Sequence, residues 1–519
     1  TNTYQEGRCF SGVKLVDRGE LVEPVWDVMR SNMRYPQISQ GDMWGQISSL
    51  RTGDKRINEL CEKYGVEVVK GSMERLIAQG ELVARKRLAE MPKGSWEMDE
   101  YMDDDGHGSP VHLKGKVTIT DDEFLADFTG SDPQVAGCVN TGATAASAGG
   151  HGIFMSILGP VLAVNDGVFA PLRIVCEEGS VLQAKRPAAT SCYYESMIYA
   201  IDLVWKALAP VFPESLGAGH LLSVCTVLMA GQHQDIGNDY LIIEPTVGGW
   251  GACRGHDGQV GQFCVGDGET YNVPVEMAET RYGIRVDEYS LHTDGAGAGE
   301  YRGGSGCVRT YRSMNENQSF TASFGRNKWP VWGAAGGKDG SINYFQFHDA
   351  DGTVSEPMGI VARRVMNTND VVRMVTATGG GYGDPLRRDP AKVAMDVKNE
   401  YITAEQAKAD YGVIVEGGRK MKITSLSTAG TQVRPDGVAM TEFFSAAEGA
   451  KVTMGHAVFP AGTVVPWAAH DADEYAFILR GSVSCETEED GLLSMPAGGA
   501  SFIPAGQRHS SRNDGPEEA

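Results

Sequence analysis

The segment from Gly248 to Gly306 combines more than a dozen glycines with side chains that could do chemistry. A dense run of glycine in a long chain indicates turns with positive φ, or a backbone that another group approaches closely. The polar side chains between the glycines could then face a ligand. They are Arg254, His256, Asp257, Glu276, Glu279 and Arg302. The alternative is a set of β-turns with solvated charges, which is the expected role of any one of these residues taken alone.

The ten cysteines are scattered, and no two of them form a CxxC pair. In a long chain whose first residues contain no apolar signal region, this pattern predicts reduced thiols rather than a disulfide framework. Cys253 and Cys264 lie within the glycine-rich segment, where Arg254 and His256 are neighbours that would favour a thiolate. A packed structural role is the expected one for both cysteines, and neither is assigned to catalysis.

Composition narrows the class of protein. The chain has 519 residues, a net charge of −22 and a pI near 5.0, which together predict two or more domains and no nucleic-acid surface. No apolar run approaches the ~20 residues that a membrane span needs, so no membrane partner is expected. The expected location is the cytoplasm.

Periodicity predicts the elements that hold the glycine-rich segment. Helices are expected at about residues 42–64 and 68–89, with apolar stripes that face the core. A hairpin is expected at residues 111–119 and 123–128, and a small-residue helix at residues 140–160. Strands and helices alternate from residue 170 onward, so the fold class is mixed α/β (α+β) with glycine-rich β segments. Asp389-Pro390, and Thr403 with Gln406, predict two later helix starts.

The acidic run from Asp99 to Asp105, followed by His107, permits two interpretations. Its carboxylates could bind a hard cation. The preferred interpretation is a solvated loop, because acidic runs are usually exposed.

Three blocks of the chain resemble the B-type subunits of the hydantoinase/oxoprolinase family. They are GGWGACRGHDGQ, NVPVEMAETRYGIRVDEYSL and GAGAGEYRGGSG, and the resemblance extends over residues 1–415. It implies a subunit of a multi-subunit, ATP-dependent enzyme that opens a cyclic amide through a phosphorylated intermediate. The run GGGYGDP lacks the GKS or GKT ending of a P-loop, so ATP and Mg are expected on an A-type partner subunit.

The implied chemistry gives the polar residues their predicted roles. His256, Asp257, Glu276 and Glu279 are the candidate catalytic groups, and Arg254 and Arg302 are the candidate substrate-binding cations. Two alternatives to the hydrolase remain open. The chain could be a subunit of an ATP-dependent ketone carboxylase, or a structural or substrate-binding subunit without catalytic residues of its own.

The C-terminal part resembles a cupin, an all-β barrel whose interior commonly holds a divalent metal. The two motifs are GTVVPWAAHDADEYAFILRG and GASFIPAGQRHSSRN. The resemblance implies that His470, Glu474 and His509 are metal ligands, with Zn, Mn or Fe as candidates. Ala468 stands where the first motif usually has another histidine, so a barrel without metal is equally expected.

The resulting domain prediction is a hydantoinase B-like domain at residues 1–415, a linker at 416–420 and a cupin-like barrel at 421–519. The family domain begins upstream of the segment that YQEG matches. A chain or fragment that supplies that region is therefore an expected partner, together with the A-type subunit and a small-molecule substrate. The last strand of the barrel is expected to lie beyond residue 519.

Overall fold

The computed structural model describes residues 2–160, 164–268, 270–415, 424–445 and 452–519. It divides into two compact units, Thr1–Glu416 and Gly417–Ala519. The predicted linker at residues 416–420 lies outside the described residues. Among the described residues, no helix is both long enough and apolar enough to cross a membrane.

The first unit mixes helices and strands, as predicted. Its helices are α1 (Thr3–Glu6), α2 (Glu23–Ser31), α3 (Pro36–Tyr64), α4 (Val66–Glu90), α5 (Ala143–Leu158), α6 (Tyr193–Leu208), α7 (Val275–Arg281), α8 (Pro390–Lys398) and α9 (Ala404–Tyr411). Its strands are β1 (Val16–Asp17), β2 (Glu20–Leu21), β3 (Gly94–Met102), β4 (Val111–Ile119), β5 (Phe124–Asp127), β6 (Leu172–Val175), β7 (Thr226–Gln232), β8 (Asp239–Glu244), β9 (Ile284–His292), β10 (Gly306–Ser313), β11 (Gln318–Ser323), β12 (Tyr344–His348), β13 (Ile360–Met366) and β14 (Val371–Val375).

Two four-stranded sheets form the centre of this unit, in the orders β12-β14-β10-β9 and β13-β11-β7-β8. All their strand pairs are antiparallel. Phe320 of β11 meets Phe345 and Phe347 of β12 edge to face, with ring centroids 5.8 and 5.3 Å apart. All three rings are fully buried, so the two sheets share one aromatic core.

A third sheet, in the order β3-β4-β5-β6, is covered by α5 and α6. The β5–β6 pair is parallel and the others are antiparallel. Gly115 of β4 leaves room for Leu203 of α6, and Gly150 of α5 leaves room for Ile174 of β6. The predicted hairpin and small-residue helix are therefore both present.

The stripes of α3 and α4 do not face the core as predicted. Ile47 is the one buried residue of α3, while Leu50 is 74% exposed. The first half of α4 is exposed at Leu76 and Ile77, and burial begins only at Gly80. The periodicity correctly identifies amphipathic helices, but their apolar faces are uncovered in this chain alone. We call residues 36–79 the helical arm.

The acidic run is a partly exposed loop, as predicted, only from Asp104 onward. Residues 99–102 belong to β3, and Asp103 is buried at 3% exposure. The Asp103 carboxylate accepts hydrogen bonds from Tyr199 Oη and from the backbone N–H groups of Asn327 and Lys328. These donors compensate for the loss of water, which explains why an acidic residue can be buried here.

The glycine-rich segments pack against one another through their backbones. Gly249 N donates to Ala377 O at 2.9 Å, Gly304 N to Trp250 O at 2.9 Å, and Gly379 N to Gly304 O at 2.9 Å. A Cβ at Gly379 would overlap the backbone of Trp250. The close approach that the sequence indicates is thus made by the chain itself, and it binds distant segments together.

The second unit is all-β among its described residues. Its strands are β15 (Thr431–Val433), β16 (Ala439–Phe444), β17 (Met454–Val458), β18 (Glu474–Phe477), β19 (Ser482–Thr487), β20 (Gly491–Pro496), β21 (Ala500–Ile503) and β22 (His509–Arg512). They form three small sheets, in the orders β15-β16-β17, β18-β21 and β20-β19-β22. The described strands do not close into one continuous barrel. The prediction of an all-β unit is confirmed, whereas the predicted closed barrel is not formed by the described strands.

Candidate functional site

Arg254 and His256 lie on an exposed turn at the start of the glycine-rich segment. Cys253 and His256 exchange both backbone hydrogen bonds, at 3.1 and 3.2 Å, and Gly255 between them has φ +92°. The Arg254 guanidinium pairs with Glu214 at 2.9 Å, and both side chains are more than half exposed. The two predicted groups are therefore close in sequence and solvent-accessible, and Arg254 is engaged in an exposed ion pair.

Asp257 and Arg302 are brought together in a different environment. The backbone N–H of Arg302 donates to the Asp257 carboxylate at 2.8 Å, and Arg388 binds the same carboxylate with two hydrogen bonds of 2.7 and 2.8 Å. Arg388 also contacts Asp396 at 2.8 Å. Burial alone would raise the pKa of Asp257, but the hydrogen bonds and charge of Arg388 outweigh it and lower the pKa. Asp257 is thus held as a carboxylate.

The Arg302 guanidinium is 95% buried and faces groups of this chain. Its Nη1 donates to Gly303 O at 2.8 Å, its Nε lies 3.4 Å from Asp396, and its plane lies 4.7 Å from the Tyr401 ring centroid. An anion would reach this guanidinium only after displacing Asp396. Arg388 and Asp396 complete the network, and sequence reasoning did not single them out.

Glu276 and Glu279 lie on α7, and both are exposed. Glu279 Oε1 accepts a hydrogen bond from the backbone N–H of Val286 at 2.9 Å, which ties α7 to β9. The contacts described for these two glutamates are local to α7 and β9. Their catalytic roles stay predictions.

A buried cluster of charges lies under α6, and sequence reasoning missed it. Arg326 Nη2 lies 2.6 Å from Asp202 and Nη1 lies 3.2 Å from Glu100, whose second oxygen pairs with Lys206 at 2.8 Å. Glu195, Tyr199 and Asp202 follow the helical spacing i, i+4 and i+7 on α6. Polar residues at this spacing in an apolar helix were the signal that could have identified the cluster.

Glu195 is the unusual member, because no cation lies among its described contacts. Its carboxyl is 2% exposed and accepts a hydrogen bond from Ser223 Oγ at 2.8 Å. Burial raises its pKa to about 8, with a smaller contribution from the charge of Asp103.

Glu195 lines a cavity of about 20 Å³ that Asp103 and Asn327 also line, which is room for one water molecule. The buried Asn327 Oδ1 has no protein partner there. A buried carboxyl that keeps its proton at neutral pH can donate a hydrogen bond to a group as small as water in this cavity.

The second unit brings its three predicted ligands together. Glu474 Oε2 lies 3.4 Å from His470 Nε2 and 3.4 Å from His509 Nε2, and all three ligand atoms lie within 4.8 Å of one another. His470 and Glu474 are partly exposed, while the His509 side chain is 7% exposed. Ala468 pairs its backbone with that of His509, so a residue at position 468 lies beside the cluster.

The chemistry of this cluster fits a divalent metal. Atoms at the corners of a tetrahedron about 2.1 Å from a metal are about 3.4 Å apart, which matches both histidine–glutamate separations. His509 Nδ1 lies 3.2 Å from Gln507 O. A proton on Nδ1 leaves the Nε2 lone pair directed at the cluster, which is the usual outer contact of a metal-binding histidine. The cluster could therefore hold a metal ion.

Two different protein families match the two parts of the chain. The family model for hydantoinase B/oxoprolinase matches residues 1–385, and the cupin domain model matches residues 455–519. A protein of Pseudomonas sp. strain NS671, provisionally named as the B-type subunit of a D-/L-hydantoinase, is 29% identical over 80% of this chain and 71% of its own length. The caprolactamase beta chain of Pseudomonas jessenii is 28% identical over 80% of this chain and 73% of its own length.

Two solved structures share the fold of the first unit. ATP-dependent caprolactamase from Pseudomonas jessenii superimposes with a TM-score of 0.74 at 27% identity, over 80% of this chain and 73% of that chain. Nucleotide-free acetone carboxylase has a TM-score of 0.72 at 17% identity, over 86% of this chain and 64% of that chain, which is a likeness of fold. The chain therefore belongs to the hydantoinase B/oxoprolinase family and carries a cupin domain at residues 455–519.

Proposed function

We propose that this chain is the B-type subunit of an ATP-dependent amidohydrolase that opens a cyclic amide such as a hydantoin, lactam or imide. The observation that carries the proposal is the likeness of the first unit, in sequence and fold, to the beta chain of an ATP-dependent caprolactamase. ATP and Mg would bind to an A-type partner. That partner would phosphorylate the amide oxygen, because the resonance-stabilised carbonyl is a poor electrophile until its oxygen carries a leaving group.

The exposure and the ion pairs of the predicted residues suit them to different roles. His256 and Arg254 are exposed on one turn, so His256 suits proton transfer, and Arg254 suits anion binding once its exposed ion pair with Glu214 opens. Asp257 and Arg302 lie within ion pairs and would position the turn. Glu276 and Glu279 remain proposed acid–base groups on an accessible helix.

The cupin unit is proposed to bind Zn, Mn or Fe through His470, Glu474 and His509. A bound ion would act as a Lewis acid or as a structural cross-link between β18 and β22. Glu474 begins β18 and His509 begins β22, so the two strands fix two of the three donors.

The proposal is tested with the chain co-expressed with its A-type partner. Cyclic amides are supplied with ATP, and both phosphate release and the ring-opened product are measured. We expect amide-dependent phosphate release that matches product, and at least about 100-fold less of both in His256→Ala. His107→Ala, which changes an exposed histidine of another loop, is the matched control.

A ketone carboxylase is the second candidate, because the delta chain of acetophenone carboxylase from Aromatoleum aromaticum is 23% identical to this chain. Phosphate release that needs bicarbonate and a ketone, with no ring-opened product from any amide, would replace the hydrolase by the carboxylase. A third outcome is full activity after replacement of each predicted residue in turn, which would favour a structural or substrate-binding role.

A further inference from the structure

Cys138 and Cys192 are far apart in sequence but adjacent in the structure. The backbone N–H of Cys192 donates to Cys138 O at 3.0 Å, which brings the two side chains next to each other. Residues joined by a backbone hydrogen bond have Cα atoms about 5 Å apart, which is within the range that a disulfide spans. The separation of the two backbones therefore permits a disulfide between them.

Both cysteines are held in place by buried groups. The side chain of Asn140 is fully buried and donates to the carbonyls of Gly137 and Ala189. Gly137 lies in the segment that carries Cys138, and Ala189 lies in the segment that carries Cys192. The Ser196 hydroxyl donates to Val139 O and ties α6 to the Cys138 segment. Cys192 is the N-cap of α6. The pair therefore connects a rigid loop to a rigid helix end.

The pair is also reactive and accessible. Both cysteines are half-buried, and exposed Ser191 and Tyr193 flank Cys192. The neighbouring Cys192 thiol lowers the pKa of Cys138, while the pKa of Cys192 itself is raised, so Cys138 is the more readily ionised thiol of the pair. Burial instead raises the pKa of Cys176 to about 11 and that of Cys307 to about 12.

We propose that Cys138 and Cys192 form a redox-active dithiol whose oxidant is a small-molecule disulfide of the glutathione type. The Cys138 thiolate attacks one sulfur of the oxidant and releases one glutathione thiolate. The Cys192 thiolate then attacks the Cys138 sulfur of the mixed disulfide and releases the second. The two cysteines lose two electrons and two protons, and one glutathione disulfide becomes two glutathione molecules.

The oxidised pair would cross-link the loop at residues 138–140 to the helix that carries Glu195. Because Glu195 lies three residues after Cys192 and lines the small cavity, the redox state would act on the segment that holds that carboxyl. This inference does not depend on the proposed hydrolase activity.

The full chain is incubated with mixtures of oxidised and reduced glutathione, quenched with acid, alkylated and mapped by mass spectrometry. We expect a loss of two hydrogens per chain and a peptide linked through Cys138 and Cys192, with reversal in excess reduced glutathione. In Cys192→Ser, Cys138 should retain one glutathione, because the resolving thiol is gone. Cys176→Ser, which removes another half-buried cysteine, should behave as the parent.

The measurement on the parent chain does not depend on whether the variants fold. A parent chain that forms no linked peptide at any glutathione ratio would overturn the inference. So would a linked peptide that excess reduced glutathione cannot reverse, since the bond would then be structural.

Discussion

At the scale of single residues, the protonation of Glu195 has a measurable effect on stability. Its pKa is raised from 4.5 to about 8, because the charged carboxylate would be buried beside Asp103. The folded chain therefore keeps a proton that the unfolded chain releases between these pH values. The contribution of this carboxyl to stability is fully present below pH 4.5 and is lost as the pH rises towards 8.

We predict that Glu195→Gln removes this loss of stability. The free energy of unfolding of the parent should fall by up to about 1.4 kcal/mol per pH unit relative to the variant between about pH 5 and 8. The measurement is urea unfolding of both chains across this range. Glu67→Gln, which changes an exposed carboxylate of α4, should follow the parent. Parallel curves for parent and Glu195→Gln would contradict the prediction.

Sequence alone identifies some of these residues and not others. His470, Glu474 and His509 are recognisable because two short motifs place them at characteristic spacings, and the structure brings them together. The burial of Asp103 and Glu195 is harder to predict, because the helical spacing of Glu195, Tyr199 and Asp202 indicates a shared face but does not say which groups lie against it. Their burial depends on Ser223 and Tyr199, which are distant in sequence from the carboxyls that they contact.

At the scale of elements, Arg388 connects the glycine-rich segment to α8. It is 1% exposed and pairs with Asp257 on one side and Asp396 on the other. Its loss would leave Asp257 without its paired cation, and Asp396 with only the 3.4 Å contact to Arg302.

We predict that Arg388→Met destabilises the first unit by about 3–5 kcal/mol. Arg387→Met is the matched control, because that neighbour is 70% exposed and its long contact with Glu300 should contribute less than about 1 kcal/mol. Thermal unfolding of the two variants compares them directly. Equal midpoints would show that the buried network contributes no more than the surface pair.

The metal cluster depends on strands β18 and β22, and one substitution should weaken its metal binding while another should strengthen it. We predict that His509→Ala lowers metal content at least about tenfold, while His456→Ala on β17 leaves it unchanged. Ala468→His should raise affinity, because position 468 pairs with His509 and a fourth donor would complete the set. Elemental analysis after dialysis against Zn, Mn or Fe measures both effects. Metal retention by His509→Ala would remove the cluster as the site.

Periodicity predicts most elements of the first unit but not what the elements touch. The capping box of Thr403 and Gln406 and the N-cap of Asp389 are present as predicted, because capping is decided within one helical turn. The assignment of the α3 and α4 stripes to the core is wrong. An amphipathic pattern indicates that a helix has an apolar face. It does not indicate whether the residues that pack on this face belong to the same chain or to a partner.

At the scale of the whole molecule, the helical arm leaves a series of apolar side chains uncovered in this chain. Its exposed apolar side chains include Leu50, Ile57, Leu60, Val68, Met73, Leu76 and Ile77. Helices in proteins gain most of their stability from packing an apolar face, and contiguous exposed apolar surface marks an interaction site. We predict that a partner subunit covers this face, and the A-type subunit of the proposed complex is the candidate.

We predict that Leu50→Glu or Leu76→Glu lowers the affinity for the A-type partner at least about tenfold, because each substitution buries a charge in the contact. Ser48→Glu adds the same charge to an exposed polar position of α3 and should bind as the parent. Co-purification and calorimetric titration measure both. Undiminished binding by both leucine variants would place the partner elsewhere.

The backbone pairing of the glycine-rich segments has a consequence for biosynthesis. Gly249 bonds to Ala377 and Ala252 bonds to Gly380, so each later partner emerges from the ribosome about 130 residues after the earlier one. At roughly 5–20 residues per second, the earlier segment waits on the order of 10 s with its amides unpaired. The first unit can therefore complete its glycine-rich backbone pairing only after residue 380 has been synthesised. A run of slowly translated codons before this point would prolong the time during which chaperones can bind the unpaired segment.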